Sequence, residues 1–234
     1  MKFSTELLSI DYELEFTKPK IRLADFANQT LECFYNIINP CYPLKLSDLQ
    51  WIPSTVASNF IQVTLFSGNG ILQVLPEKFA GRFTNLKSKE DIEIIVQCIP
   101  LCEKALAQAF PETKFEKTVV KISFWLKIEG GESTAETILQ KGASGLGLTI
   151  DKFNATGFEH SLRAIINNQD EKWDVEFLLE KSAIEAYDLF FILNTTYFKD
   201  SNYDSLDKRA NHIENILPKL LSHFGLEPAQ ELGN

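Results

Sequence analysis

The sequence has few of the residues that usually carry catalytic chemistry. Its 234 residues include three histidines, four cysteines and one methionine. His212 and His223 lie eleven positions apart on one predicted helix, three turns apart in height, so they cannot share a ligand. His160 stands alone on a predicted strand. Because the sequence also lacks a nucleophile elbow, a paired-histidine metal motif and a cysteine–histidine signature, we assign no catalytic residues and favour a non-enzyme.

Basic charge and long apolar runs are also scarce. The chain has 23 Lys and Arg residues against 32 Asp and Glu residues, a net charge of −9, and no dense basic run. Because this negative field repels phosphate, we exclude nucleic acid as a partner. No apolar run reaches membrane length and the first residues turn acidic, so we expect no signal peptide and no membrane partner. We therefore predict a soluble, cytoplasmic protein with reduced cysteines.

One glycine cluster has the composition of a phosphate-binding loop but the wrong surroundings. In dinucleotide-binding loops a strand precedes the glycines and a helix follows them. Around Gly142, Gly145 and Gly147 the order is reversed, because a predicted helix precedes and the alternating residues 146–150 predict a strand. We interpret the cluster as a helix end, and we expect no cofactor and no cofactor-binding residues.

A polar segment matches only part of a calcium-binding loop. Asp200, Asn202 and Asp204 occupy the first three ligand positions. The match then fails, because Ser205 stands where the sharp turn needs glycine and Asn211 stands where a glutamate should bind the ion. We interpret this segment as a loop that caps the last helix.

The cysteines also fit a zinc site poorly. Cys98 and Cys102 are four apart on a predicted helix, whereas structural zinc sites use short pairs on loops. Cys33 and Cys41 are the remaining two thiols. Free cysteines are common in protein cores, so we predict four unpaired thiols and no metal site.

The sequence is rich in phenylalanine, with 18 residues, and in alternating apolar patterns. The longest of these runs from Phe115 to Gly130 and places its apolar residues on one face and lysines on the other. Alternation predicts strands over 8–16, 60–66, 71–75, 79–86, 115–130, 146–150, 157–166, 173–179 and 187–198. Helical spacing predicts helices over 23–38, 88–110, 132–140 and 206–224, with an ordered loop over 40–58.

This order predicts an α+β fold with two lobes of antiparallel sheet packed with long helices. Each half follows the order β-α-βββ-α, with residues 1–112 forming the N-terminal lobe and residues 113–234 the C-terminal lobe. The alternative is a single continuous domain, in which one sheet carries all the helices on one face.

Acidic residues alternate along the first predicted strand. Asp11, Glu13 and Glu15 share one face of it, and paired carboxylates can act as general acid and base. Alternating acids opposite an apolar face are nevertheless typical of a solvated sheet surface, which is the interpretation we favour. An enzyme with dispersed, motif-free acid and base residues is the alternative.

A second strand pattern bears on partners. The run from Leu189 to Leu193 is apolar on both faces and predicts a strand that is covered on both sides. The last helix can cover one side, and the first lobe, a bound ligand or a second copy of the chain the other. We therefore predict a non-catalytic binding or interaction protein that engages a protein partner or a small apolar ligand, and a homo-oligomer remains open.

Overall fold

The computed structural model describes residues 2–20, 23–53, 60–86, 88–143 and 161–228. The strands are β1 (Lys2–Phe16), β2 (Leu49–Ile52), β3 (Phe60–Leu65), β4 (Gly70–Val74), β5 (Lys78–Leu86), β6 (Phe115–Ile128), β7 (Ser161–Asn168), β8 (Trp173–Lys181), β9 (Leu189–Phe198) and β10 (Glu227–Pro228). The helices are α1 (Ala27–Ile38), α2 (Lys89–Ala109), α3 (Gly131–Ala143) and α4 (Leu206–His223). Helices combined with a large antiparallel sheet confirm the α+β class.

The ten strands of the described residues all belong to one sheet. Nine of them follow the order β2-β3-β4-β5-β1-β6-β9-β8-β7, and β10 pairs in parallel with the start of β1. The two longest strands, β1 and β6, lie side by side at the centre and pair antiparallel along almost their whole length. Each half of the chain places its first strand at the centre and a later strand of the same half next to it, so β5 flanks β1 and β9 flanks β6.

One hydrophobic core lies on one face of this sheet. Alternate residues of the strands are buried in it, including Tyr12, Phe79, Leu126 and Phe191. The same cluster contains residues from every helix: Phe34 of α1, Leu106 of α2, Ile138 of α3 and Leu221 of α4. All four helices therefore pack on the same face. One sheet with the helices on one face is the alternative that we stated from the sequence, while the division into lobes at residue 112 stays a prediction.

Local sequence signals explain where the long helices begin and end. Ser88 and Asp91 form the predicted capping box of α2, because each side chain bonds to the backbone N–H of the other. Gly225 follows α4 with φ at +69°, a conformation that glycine adopts without strain. Its N–H donates to the carbonyl of Ser222, and the next N–H, of Leu226, donates to Leu221, which completes a Schellman motif.

The structure differs from the sequence expectation at three places. The predicted loop 40–58 contains the short strand β2, so the first half has four strands after α1 instead of three. The turn between β3 and β4 is not an Asn-Gly hairpin turn, because the positive φ angles fall on Phe66, Ser67 and Gly68, and Asn69 is right-handed. Helix α3 continues past Gly142 to Ala143. The predicted strand 146–150 lies outside the described residues.

No helix among the described residues is long and apolar enough to cross a membrane.

Candidate functional site

The face of the sheet opposite the helices is the most distinctive surface of the described chain. We call it the open face. Five of its apolar side chains lie outside the core cluster and are half-buried: Ile71, Trp125, Leu178, Phe190 and Ile192. Half-burial follows from neighbouring side chains on the sheet itself. On the helix side of β9, Leu189, Phe191 and Leu193 are buried as predicted, and cover on the open face stays a prediction.

Asp11, Glu13 and Glu15 of β1 lie on the open face, and each contacts a cation from a neighbouring strand. Glu13 Oε2 lies 2.7 Å from Lys78 Nζ, and Glu15 Oε2 lies 2.8 Å from Lys117 Nζ. These cross-strand pairs alternate between β5 and β6, and they neutralise the acids on a surface where exposed ion pairs add little stability. This geometry is typical of a solvated sheet surface, which is the interpretation that the sequence favoured.

Asp11 differs from the other two acids because two cations flank it. Its Oδ1 accepts a hydrogen bond of 2.7 Å from Arg82 Nε, and its Oδ2 lies 3.9 Å from Lys121 Nζ. The three residues stand directly opposite one another on β5, β1 and β6. Asp11 is also well screened from water, with 15% of its side chain exposed, whereas Lys121 is 38% exposed.

A groove of about 250 Å³ begins at this charged row. Two residues further along the strands, Ser9 and Ser123 stand opposite each other and form a floor of small side chains. Two residues further again, Trp125 stands opposite Phe190. Residues two apart on one strand face are about 6.8 Å apart, so the groove runs about 13 Å from the charged row to the aromatic pair.

The aromatic pair forms the apolar wall of the groove. The ring centroids of Trp125 and Phe190 are 3.8 Å apart, and Tyr187 lies 6.4 Å from Trp125 on its other side. The indole Nε1 of Trp125 is buried and has no hydrogen-bond acceptor among the described residues. A buried donor without an acceptor costs about 1–3 kcal/mol.

A second concavity, of about 610 Å³, lies at the C-terminal end of α2. Its walls are mostly apolar and include Phe26 and Phe110, whose rings are 6.0 Å apart, with Lys20 over Phe110. The walls come from loops and helix ends, and residues 21–22 beside them lie outside the described residues. We prefer the groove because four adjacent strands from both halves of the chain hold its walls rigidly.

Beneath the sheet, a buried polar cluster fastens α4 to the core. Arg209 is only 8% exposed, and its guanidinium donates to the Tyr12 hydroxyl from Nη1 at 2.9 Å and to the Tyr203 carbonyl from Nε at 2.9 Å. Tyr12 in turn donates to the carboxylate of Glu103 on α2. Burial is the main reason that the pKa of Tyr12 is raised well above its usual value. The cluster joins β1 and α2 of the first half to α4 of the second.

His212, one turn further along α4, lies in an aromatic cage. Its Nδ1 shares a hydrogen bond of 3.1 Å with the Tyr197 hydroxyl, and its ring stacks on Tyr203 at 4.2 Å. The edge of Trp173 lies 4.7 Å away, and the Trp173 indole N–H donates to Glu171 at 2.8 Å. Burial lowers the pKa of His212, against the opposing charge of Glu171.

The lowered pKa of His212 predicts an acid-dependent loss of stability. An unfolded histidine has a pKa of about 6.5, so as the pH falls below that value the unfolded chain takes up the proton first. Stability therefore decreases as the pH falls, and it stops decreasing once the pH is below the pKa of His212 in the folded protein. Urea denaturation of the wild type should therefore give a lower midpoint at pH 5.5 than at pH 7.5.

His223 provides a matched control because it is exposed on the same helix. The variant His223→Gln should lose as much stability between pH 7.5 and pH 5.5 as the wild type does. The variant His212→Gln should lose much less stability over the same change in pH. An equal loss in both variants would show that burial of His212 does not cause the effect.

The residues considered for metal and cofactor sites are scattered. Cys98 and Cys102 are buried with their sulfurs 3.8 Å apart, and all four thiols are free. The Asp200–Asp204 loop does cap α4, because Ser205 Oγ accepts from the N–H of Lys208. Within the described ranges, no three His, Cys, Asp or Glu side chains are placed to share an ion. His160, Gly145 and Gly147 lie outside the described residues.

No sequence motif predicts the groove directly. Asp11 was noted only as one of several alternating acids, and nothing in the order of residues shows that Arg82 and Lys121 flank it. One signal was present, because serines at positions 9 and 123 are the small residues of two strands whose other outward residues are mostly large or charged. The two serines indicate a groove only once the register of β1 and β6 is known, because the register places them opposite each other.

Comparison with known proteins adds little to this picture. No protein family and no curated protein matches the sequence. Among solved structures, the TBP of Methanococcus jannaschii aligns over 95% of this chain and 99% of its own chain, at 10% sequence identity and a TM-score of 0.29. We draw no argument about fold or function from so low a score.

Proposed function

We propose that this chain is a non-catalytic binding protein and that its binding surface is the open face of the sheet. The observation that carries the proposal is the groove between the Arg82–Asp11–Lys121 row and the Trp125–Phe190 pair. Concave sites with an apolar wall and a few fixed polar groups are typical of ligand binding. In this proposal residues 1–112 and 113–234 are two lobes, and the groove lies where their central strands meet.

The physical reason for binding at this place is the half-covered aromatic pair. An apolar side chain gains about 1.5–3 kcal/mol when it is fully buried, and Phe190 and Trp125 have gained only part of that amount. A ligand or partner that covers them would complete the burial that the run Leu189–Leu193 predicts. The enzyme alternative has no comparable support, because Asp11, Glu13 and Glu15 are engaged with cations. A soluble, cytoplasmic location stays a prediction.

A titration followed at the tryptophan side chains tests this proposal. The chain has three tryptophans, Trp51, Trp125 and Trp173, so 15N-labelled indoles give three assignable NMR signals. The probes are three naphthalenes of one shape: anionic 1-naphthoate, neutral 1-naphthamide and cationic 1-naphthylmethylammonium. We expect at least one of them to shift the Trp125 signal and to leave unchanged that of Trp173, whose N–H donates to Glu171 away from the groove.

Two variants make this test specific for the groove. Ser9→Leu fills the floor of the groove and should abolish the shift, whereas Thr196→Leu makes a similar change on the open face of β9 outside it. Thr196→Leu should bind as the wild type does. If no probe moves the Trp125 signal, or if Ser9→Leu changes nothing, the groove is not the binding site.

A further inference from the structure

The polar groups that line the groove are unbalanced in charge. Two cations, Arg82 and Lys121, share a single carboxylate, that of Asp11. Arg82 takes the closer position at 2.7 Å, which leaves Lys121 Nζ at 3.9 Å, near the limit of an ion pair. The neighbouring acid, Glu13, is occupied by Lys78. One positive charge in the groove is therefore incompletely neutralised, although the whole chain carries −9.

The hydrogen-bonding groups show the same imbalance. Arg82 and Lys121 can only donate hydrogen bonds. The one carboxylate of the lining, Asp11, already accepts from Arg82. The remaining polar side chains of the lining are hydroxyls, which donate or accept as needed: Ser9, Thr84 and Ser123. An occupant that fits these groups must supply acceptors.

The shape of the groove restricts the remainder of the occupant. Serines form the floor between the charged row and the Trp125–Phe190 wall, so a flat body can lie over them and touch the aromatic rings. Rigid strands set the length at about 13 Å, which suits a small molecule of one or two rings. A larger partner would have to reach the groove with a single side chain.

We propose that the groove binds a small, flat, apolar ligand with a single negative charge, such as an aromatic carboxylate. Its anionic group contacts Lys121 and Arg82, and its apolar body covers Trp125 and Phe190. This inference rests on the proposed function and gives it a ligand class. Because β1 and β5 come from the first half of the chain and β6 and β9 from the second, the ligand bridges the two halves.

The same three naphthalene probes test the charge preference. The anion 1-naphthoate should bind more tightly than 1-naphthamide by up to about fivefold, since a contact between exposed charges contributes at most about that factor in affinity. The cation 1-naphthylmethylammonium should bind more weakly than both. Dissociation constants come from the Trp125 indole signal.

Two variants in the charged row should act in opposite directions. Lys121→Gln removes the incompletely neutralised cation and should weaken the binding of 1-naphthoate by up to about fivefold. Asp11→Asn removes the carboxylate that competes with the ligand for the two cations. This variant should therefore strengthen the binding of 1-naphthoate by a similar factor. General damage to the sheet would weaken binding in both variants, so it cannot explain changes in affinity of opposite sign. Lys117→Gln, which breaks a pair on the same face outside the groove, should stay within twofold of the wild type.

Any other result contradicts either the ligand class or the proposed function, and the measurements distinguish the two cases. If the neutral or cationic probe binds at Trp125 as tightly as the anion, or if Asp11→Asn weakens 1-naphthoate, the ligand class is wrong while the proposed function stands. If none of the probes moves Trp125, the proposed function fails with it. A dimer in sedimentation that Phe190→Asp dissociates would assign the open face to a second copy of the chain.

Discussion

Replacing Arg209 with methionine should lower the free energy of unfolding by about 3–5 kcal/mol. The guanidinium is buried and donates to the Tyr12 hydroxyl and to the backbone carbonyls of Tyr203 and Asp204. Methionine fills similar space but leaves these acceptors without their donor. Glu103, 3.6 Å from Arg209, also loses its cation, although its side chain is 34% exposed and keeps some water. The loss in free energy of unfolding should therefore fall near the lower end of the range of about 3–5 kcal/mol.

Lys208 is the control for this measurement because it is the adjacent cation on the same helix. It pairs with Asp204 at 2.8 Å on the surface, where both side chains are more than half exposed. Lys208→Met should change the free energy by no more than about 0.5 kcal/mol. Arg209→Lys keeps the charge but cannot reach all the acceptors, so its loss should be intermediate. Urea denaturation measures all three, and an Arg209→Met variant as stable as Lys208→Met would show that the cluster does not hold α4.

The neighbouring residues Phe190 and Phe191 should differ sharply when each is truncated to alanine. Phe191 is fully buried on the helix side, and its ring stacks on Phe124 with centroids 4.9 Å apart. Phe191→Ala should cost about 3–5 kcal/mol, because it leaves a cavity in a packed core. Phe190 lies on the open face against Trp125, so Phe190→Ala should cost about 1–2 kcal/mol, the value for partial burial.

This pair of variants distinguishes the observed fold from the sequence expectation for β9. If both faces of the strand were covered by protein, the two truncations would cost similar amounts. A Phe190→Ala variant as unstable as Phe191→Ala would therefore mean that a second copy, or another part of the chain, covers the open face. Sedimentation of Phe190→Ala would tell these two explanations apart.

The sequence predicted local features well because they depend on short-range geometry. Alternation located β6 within two residues, and the pattern of Ser88 and Asp91 located the start of α2. Gly225 marked the end of α4 for the same reason. These features need only the periodicity of one element or the hydrogen bonds of one cap.

What the sequence did not predict depends on contacts between distant residues. Arg209 joins Tyr12 across 197 positions, and no local pattern distinguishes it from a surface arginine. The short strand β2 was missed because prolines flank it and its pairing with β3 is set by tertiary structure. The groove depends on the register of β1 with β6, since a shift of one residue would turn Asp11 and Ser9 towards the core.

The most direct test of the account is to footprint the side chains with hydroxyl radicals, in the free protein and with 1-naphthoate. Mass spectrometry then gives an oxidation rate for each aromatic residue. We predict that Trp125 and Phe190 are oxidised in the free protein and protected by 1-naphthoate, while Phe124 and Phe191 resist oxidation in both states. Oxidation of Phe191 as fast as that of Phe190, or no protection of Trp125 at saturating 1-naphthoate, would contradict the claim that the open face is the binding surface.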